Sequence, residues 1–484
     1  MSLFNKSIVS VMWLAARIAG RQIANAIIFF WLAALLGPSD LGIASLGVTL
    51  AMFCLPMVSR GIRDAIIQRP ELSDDMLESA FLANLGIGFI ILVVLAGSAP
   101  VAASVFGDPR LIPLSIAAAF IPFMTALSNL HEALLERSFR HKKITAIYLS
   151  SSVIGAALAV AAVLADYELW GLVIFNLGSC GGTALMLWIT SDWRPRFRPT
   201  RAEMKTQLRF AAPLIISQTI NTGNQRIVEM IIGALLTPAA VGFFRFGSNF
   251  SRLLNQILIT PVLRILLPAF ARSKAGPAHN LYRVLVLNAA VLFPVFLLAA
   301  SVLPEFVDTA FDPRWKIGGW VGTVLCYGVF PSLIGPAAYP LLTVHNKGHW
   351  TAILSASALV VTVLCVVAGA QFGAVGAAAG FVLRGIFTIP MNLFAVKRAL
   401  AIPARRVLAA FIPFALLATV MHLGLLFGLR PLLEPLPGAW SIALQILAGL
   451  AFYGLGLRLV LPWVTPEQYA TFKGMLPGKV RRLF

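Results

Sequence analysis

Charge is the scarcest property of this 484-residue sequence: Asp, Glu, Lys and Arg together make up 12%. Soluble domains carry about 25%. With 59% hydrophobic residues and a mean hydropathy of +0.87, there is too little polar surface to cover a water-facing exterior. An ordinary cytosolic protein is excluded, and an integral membrane protein is expected. Acidic residues are scarcer still, 19 against 38 basic, for a net charge of +19. On a soluble chain that excess would suggest nucleic acid. Here the basic residues fall in short gaps between apolar runs, with no aromatic-interleaved basic domain, so no nucleic acid partner is expected. The excess reads instead as a topology signal and an attraction to anionic membrane lipids. The four cysteines, Cys54, Cys180, Cys326 and Cys365, stand singly inside apolar segments. That spacing excludes a metal cluster and a disulfide framework. Glycine-rich nucleotide loops and long polar loops are also lacking, which argues against direct ATP drive and against an enzyme with an extramembrane catalytic domain.

What the sequence has is long apolar runs. About twenty apolar residues cross a bilayer, and fourteen such runs can be placed. They fall near 8–36, 42–60, 79–106, 111–135, 144–165, 168–190, 208–236, 240–270, 284–308, 317–342, 350–369, 373–396, 407–429 and 438–461. The run from Ile8 to Leu36 is too long for a signal-peptide core and reads as a spanning helix. With fourteen spans, nearly all loop cations fall on the side of the N-terminus: Arg137, Arg140, Lys142 and Lys143 in one loop, Lys397, Arg398, Arg405 and Arg406 in another. The opposite side has only Arg110, Arg314, Lys316 and Arg430. Positive loops stay cytoplasmic, so both termini are expected there.

Residues 34–42 read ALLGPSDLG and residues 234–242 read ALLTPAAVG, an offset of 200. Farther on, ALLERSFRHKKITAI at 133–147 resembles YPLLTVHNKGHWTAI at 339–353. Shared Gly and Pro could be turn chemistry alone, but two matches at nearly one offset indicate a repeat. Six helices per repeat makes the two copies parallel, and such pairs commonly cradle a substrate path. The plan is therefore all-α and integral to the membrane: about 14 transmembrane helices, two parallel six-helix repeats and two C-terminal helices. Residues 1–195 form the first repeat, 196–207 a basic linker and 208–400 the second repeat. Helices thirteen and fourteen occupy 401–463, and 464–484 form a basic tail.

GPSDLG (37–42), GIRDAIIQRPELSDDMLESAF (61–81), ALLERSFRHKKITAI (133–147) and SDWRPRFRPTRAEMKTQLRFAAPLIIS (191–217) carry a resemblance. Together with the 6+6+2 plan, the chain resembles the polysaccharide transporter (Wzx-type oligosaccharide flippase) branch of the multidrug/oligosaccharidyl-lipid/polysaccharide flippase superfamily. The likeness runs to about residue 400. It implies a transporter of the bacterial inner membrane that turns undecaprenyl-pyrophosphate-linked oligosaccharide from the cytoplasmic to the periplasmic leaflet for exopolysaccharide or O-antigen-type biosynthesis. It also implies no bound cofactor, drive by a proton or sodium gradient, and a polysaccharide polymerase and chain-length regulator as protein partners.

Charges at membrane depth are the candidate site. Arg226, Arg252 and Arg384 each fall about ten residues from a helix end, hence near the midplane. An arginine there is costly unless it faces a wet cavity or a partner. Its planar fork suits phosphate oxygens and never deprotonates. Arg245 and Asn249 share a face with Arg252, and Gln218, Asn221, Asn224 and Gln225 add uncharged groups suited to sugar hydroxyls. Arg17 and Arg21, one turn apart with Asn25 continuing the face, suit an entry site for a diphosphate. The structural alternatives stay open: Arg226 and Glu229 are three apart and could neutralise each other, and Arg17 could snorkel to headgroups. Glu229 is the deepest acid found and the candidate for ion coupling. Glu132 and Glu136 read as a surface network, Arg60 and Arg63 as anchors at a helix end, and His422 as a packed side chain.

Four functions compete. An oligosaccharide flippase and a lipid II flippase need the same diphosphate handle. A multidrug cation antiporter of the same superfamily needs a carboxylate-lined cavity, which the arginine-rich midplane disfavours. A membrane polysaccharide polymerase or ligase needs sizeable loops, which are lacking.

Overall fold

In hydrocarbon no water can satisfy a backbone amide, so apolar runs of this length close their own hydrogen bonds as helices. The computed structural model describes residues 20–460 except 21, 60, 70, 197, 198, 273–275 and 346, and these contain helices and no strand. In chain order they are α1 (Gln22–Leu35), α2 (Pro38–Ser59), α3 (Gly61–Gln68), α4 (Asp74–Phe106), α5 (Leu111–Arg137), α6 (His141–Leu164) and α7 (Gly171–Thr190). Then come α8 (Arg201–Leu235), α9 (Pro238–Arg272), α10 (Pro277–Ala310), α11 (Lys316–Cys326), α12 (Ile334–Val344) and α13 (Gly348–Ala370). The last are α14 (Gly373–Leu383), α15 (Gly385–Leu400), α16 (Ala404–Ala409), α17 (Ile412–Leu423), α18 (Arg430–Leu433) and α19 (Gly438–Val460).

The all-α membrane class is what the sequence predicts. Among the described residues ten helices are long and apolar enough to cross a bilayer, eleven if the bent pair Pro313–Val329 and Ile334–Val344 counts as one span. Fourteen is not reached by that measure. The described part of the first run is only Gln22–Leu35, and α8 and α9 are interrupted by polar and charged residues. Several expected runs are also broken. The 317–342 run bends by 42° around Pro331, and the 373–396 run divides at Arg384. Run 407–429 ends in a π-turn, Gly424–Leu429. The helix expected from 208 begins at Arg201.

Helix ends follow local chemistry. The Ser73 hydroxyl accepts the Met76 N–H at 3.3 Å to start α4, and Gly107, at φ +72°, ends it by donating its N–H to the Ala103 carbonyl. Only glycine adopts that left-handed cap without strain.

The chain divides into two compact units, Met1–Arg245 and Phe246–Phe484. In the first, Ile66 of α3, Ala80 and Phe81 of α4, Ala133 of α5 and Ala211 of α8 form a buried core. Here the two repeated strings meet. A β-carbon on Gly42 would overlap the Pro238 carbonyl oxygen, and one on Gly242 would overlap that of Pro38. The contact is reciprocal, as a local twofold relation between the strings requires. In the second unit α10 is the centre: Phe293 and Phe296 pack with Ile334, Ala337, Val407 and Phe414. The C-terminal helices join this core through polar contacts as well, Tyr453 Oη donating to the Ala290 carbonyl at 3.1 Å.

Both units contain a helix pair joined through glycine. Between α6 and α7, Gly155 lies against the Phe175 carbonyl and Gly178. Between α13 and α14, Gly369 and Gly376 face each other's carbonyls and Gly380 faces that of Cys365. Small residues allow such close backbone approach in membranes, where packing replaces the hydrophobic drive. The outward faces carry large apolar side chains, Phe89, Val94, Val153, Leu364 and Phe427 among them, all exposed. Large exposed apolar side chains on helices of this length fit a surface that faces lipid.

Candidate functional site

Glu229, on α8 and 1% exposed, is the single acid between residues 208 and 272. Three groups converge on it. Thr49 of α2 donates its hydroxyl at 2.6 Å. Arg226, one turn back on α8, reaches the other carboxylate oxygen at 3.3 Å. Arg245 of α9 pairs with the same oxygen as Thr49 and also donates to the Thr49 hydroxyl at 3.1 Å. The expected pairing of Arg226 with Glu229 is thus present, but the carboxylate is shared by two guanidiniums and ties three helices together. Thr49 was not singled out in the sequence. A hydroxyl inside an apolar run is a weak signal, and its partner lies 180 residues away.

A second charged network lies in the same unit. Arg63 of α3 bridges Glu132 at 3.1 Å and Glu136, both on α5. Tyr148 of α6 donates to Glu132 at 2.8 Å. Arg137 donates to the Ile66 carbonyl at 3.1 Å and to that of Arg69, capping α3. Glu132 is 5% exposed, so this network is not at the surface as expected. Arg63 is likewise an interior cross-link, with its side chain 15% exposed, not a headgroup anchor.

In the second unit Arg384 has neutral partners. Arg384 occupies the break between α14 and α15 and donates to the Thr362 hydroxyl of α13 at 2.8 Å. Its guanidinium also lies 3.8 Å from the centre of the Phe381 ring. No described residue gives it an acidic partner. The break itself is packed against another: a β-carbon on Gly385 would overlap Pro331, in the bend between α11 and α12. Nearby, Asn392 is 6% exposed, and its side-chain Oδ1 has no hydrogen-bond partner. Discontinuous helices meeting at their breaks commonly build transporter sites, because the freed backbone faces a cavity. Arg252 donates to Ser248 on its own helix at 3.0 Å.

The other expected residues are dispersed. Asn25 and Gln218 are half-buried on α1 and α8, and Asn249 is half-buried on α9 with its Nδ2 unpartnered. Arg17, Arg21 and Arg60 lie outside the described residues, as does the side chain of Asn221. His422 is held by Ser301 at 2.6 Å, Tyr327 at 2.9 Å and the Leu297 carbonyl at 3.0 Å.

Comparison with known proteins gives a consistent picture. Residues 31–317 match the family model described as "Polysaccharide biosynthesis protein". The chain is 24% identical over 397 residues to the lipopolysaccharide biosynthesis protein WzxC of Escherichia coli (strain K12), covering 80% of each. It is 23% identical over 296 residues to the succinoglycan biosynthesis transport protein ExoT of Rhizobium meliloti (strain 1021), covering 60% of each. Among solved structures it resembles the lipid II flippase MurJ in an inward closed conformation. That likeness has a TM-score of 0.71 and 14% identity, over 93% of this chain and 98% of that one. It also resembles an inward-facing multidrug resistance MATE family transporter of the MOP superfamily, at TM-score 0.60 and 15% identity, over 79% and 95%. At these identities the two structures show a shared fold.

Proposed function

The chain belongs to the polysaccharide biosynthesis protein family, and on that premise we propose that it is a flippase for lipid-linked oligosaccharide. The cargo in this reading is undecaprenyl-pyrophosphate-linked, moved from the cytoplasmic to the periplasmic leaflet of a bacterial inner membrane by alternating access. Both termini are cytoplasmic in this reading, as the loop charges favour.

The observation that carries it is Arg384, a guanidinium at a helix break with a hydroxyl and an aromatic ring as partners. Charge-assisted hydrogen bonds are roughly twice as strong as neutral ones. A diphosphate can therefore displace Thr362 from this arginine at a gain. A cationic drug would meet like charge there, which disfavours the antiporter alternative. Arg252 is assigned the same role on α9. In the first unit Arg226 and Arg245 are committed to Glu229, so they serve the cargo only when that cluster opens. Drive by a proton or sodium gradient fits the lack of a nucleotide loop, and the opened Glu229 is the acid such an ion would meet.

The test is leaflet sidedness of the lipid-linked oligosaccharide, read with an impermeant sugar-modifying reagent on intact spheroplasts. Loss of the protein should trap the intermediate on the inner face. Arg384→Ala and Arg252→Ala should do the same at normal protein level, with Arg384→Lys only partly active because an ammonium cannot bind two phosphate oxygens as a fork. Normal export in Arg384→Ala would remove the phosphate role. An intermediate that reaches the outer face without the protein, yet never lengthens, would favour an enzyme or assembly role.

A further inference from the structure

The first three turns of α8, RAEMKTQLRFAA, are not used by the cargo reading. Arg201, Lys205 and Arg209 recur every four residues, so they fall on one helical face. All three are exposed. With Met204, Leu208 and Ala212 they line an open groove of about 430 Å³. The opposite face is fixed: Gln207 and Ala211 are buried, and Ala211 packs so closely under Gly61 that a β-carbon there would stand 2.9 Å away. The helix is therefore held from behind while its basic face stays open.

Two features define what fits that face. None of the three cations has an ion pair or hydrogen bond among the described residues, so no described acid neutralises them. The apolar side of the groove also continues along the helix. Leu208, Ala212, Ile216 and Ile220 repeat at the same spacing and are all exposed. A cationic patch that passes directly into an apolar track matches a molecule with an anionic head and an acyl tail.

We propose that this groove is a binding site for an anionic phospholipid of the surrounding bilayer. Its phosphate lies among Arg201, Lys205 and Arg209, and one acyl chain follows Leu208, Ala212, Ile216 and Ile220. Charge selects the headgroup, because an exposed cation near a lipid surface attracts anionic lipid and leaves zwitterionic lipid nearly indifferent. The apolar track selects a lipid over a soluble phosphate. The site is separate from the arginines assigned to the cargo and stands whether or not that assignment holds.

The test is native mass spectrometry of the full chain in detergent, titrated with phosphatidylglycerol, phosphatidylcholine or deacylated glycerophosphoglycerol. Phosphatidylglycerol should bind preferentially. Each cation lost should weaken it about fivefold, so the triple variant R201Q/K205Q/R209Q should lose about a hundredfold. The variant R140Q/K142Q/K143Q removes equal charge from another loop and should bind as the parent does. If the first variant cannot be purified, Lys205→Gln alone carries the test through its about fivefold loss. Equal losses in the two triple variants, or equal binding of phosphatidylcholine, would overturn the site. Deacylated headgroup binding as tightly as the lipid would overturn its occupant.

Discussion

The two units handle intramembrane arginine in opposite ways. In Met1–Arg245, Arg226 and Arg245 meet Glu229, and Arg63 meets Glu132 and Glu136. In Phe246–Phe484, Arg384 meets the Thr362 hydroxyl and the Phe381 ring. Their scaffolds are alike, since each contains a helix pair closed through glycine against carbonyl. The difference therefore lies in chemistry laid over a common packing mode. A buried carboxylate between guanidiniums is a cross-link whose loss strands charge, because little water is there to replace it. An arginine on neutral partners can exchange them for an anion with no charge left uncovered. The first unit ties these arginines to acids, whereas in the proposed reading the second keeps Arg384 for the cargo.

The largest effect should come from Glu229. Changing it to Gln leaves the buried Arg245 and the half-buried Arg226 around a neutral amide, a loss of about 3–5 kcal/mol in folding stability. Thermal unfolding in lipid nanodiscs should show it, whereas Arg384→Ala should unfold close to the parent. Because Arg245 and Glu229 are coupled, the pair Glu229→Gln with Arg245→Gln should recover much of the loss, with a non-additivity of about 0.5–3 kcal/mol. Additive losses would mean that the cluster is not the unit the geometry describes.

Next come the glycine contacts, which test the likeness between the units. Gly155→Val on α6 and Gly376→Val on α14 each drive a side chain into a facing backbone. Overpacking of this kind costs about 1–3 kcal/mol. Comparable losses in both variants would support a shared packing mode. A full loss in one and none in the other would break it, leaving the glycines as unrelated local features.

How much of this was legible in the sequence depends on the range of the interaction. The length of the apolar runs located most helices, because each needs only its own residues, and most ends fell within a few positions. The likeness of the strings at 34–42 and 234–242 was legible, and the contacts of Gly42 with Pro238 and of Gly242 with Pro38 give both strings a use for a small residue there. The breaks at Pro331 and Arg384 were not legible. Proline is tolerated inside many membrane helices, so its presence does not identify the one that bends. The partnership of Thr49 with Glu229 was also hidden, since nothing local distinguishes that threonine. Arg63 was misread as an anchor for a related reason: the acids that bury it lie on α5, 69 and 73 residues away along the chain.

The smallest effect should appear at a match that local reading passed over. Asp-Pro-Arg occurs at 108–110, between α4 and α5, and again at 312–314, between α10 and α11. In each copy the arginine backbone N–H and Nε both donate to the aspartate, at 2.9 and 3.1 Å in the first and 2.8 and 2.9 Å in the second. The hydrogen bonds from the arginine side chain hold both carboxyls below the usual aspartate range. Only the first copy reaches farther, Arg110 also pairing with Asp40 of α2 at 2.9 Å. A carboxylate whose pKa is lower in the folded protein stabilises the fold above its unfolded pKa, about 3.9. That contribution is lost as pH falls through the folded value. Arg110 is 51% exposed, so solvent limits the first copy to below about 1 kcal/mol. Acid titration of the unfolding midpoint from pH 6 to pH 3 should therefore be shallower in Asp108→Asn than in the parent. Asp312→Asn should change it less, because its arginine ties no second helix. A larger change in Asp312→Asn would mean that neither the link to Asp40 nor the second bond from Arg110 to Asp108, at 2.9 Å, adds to holding the first unit together.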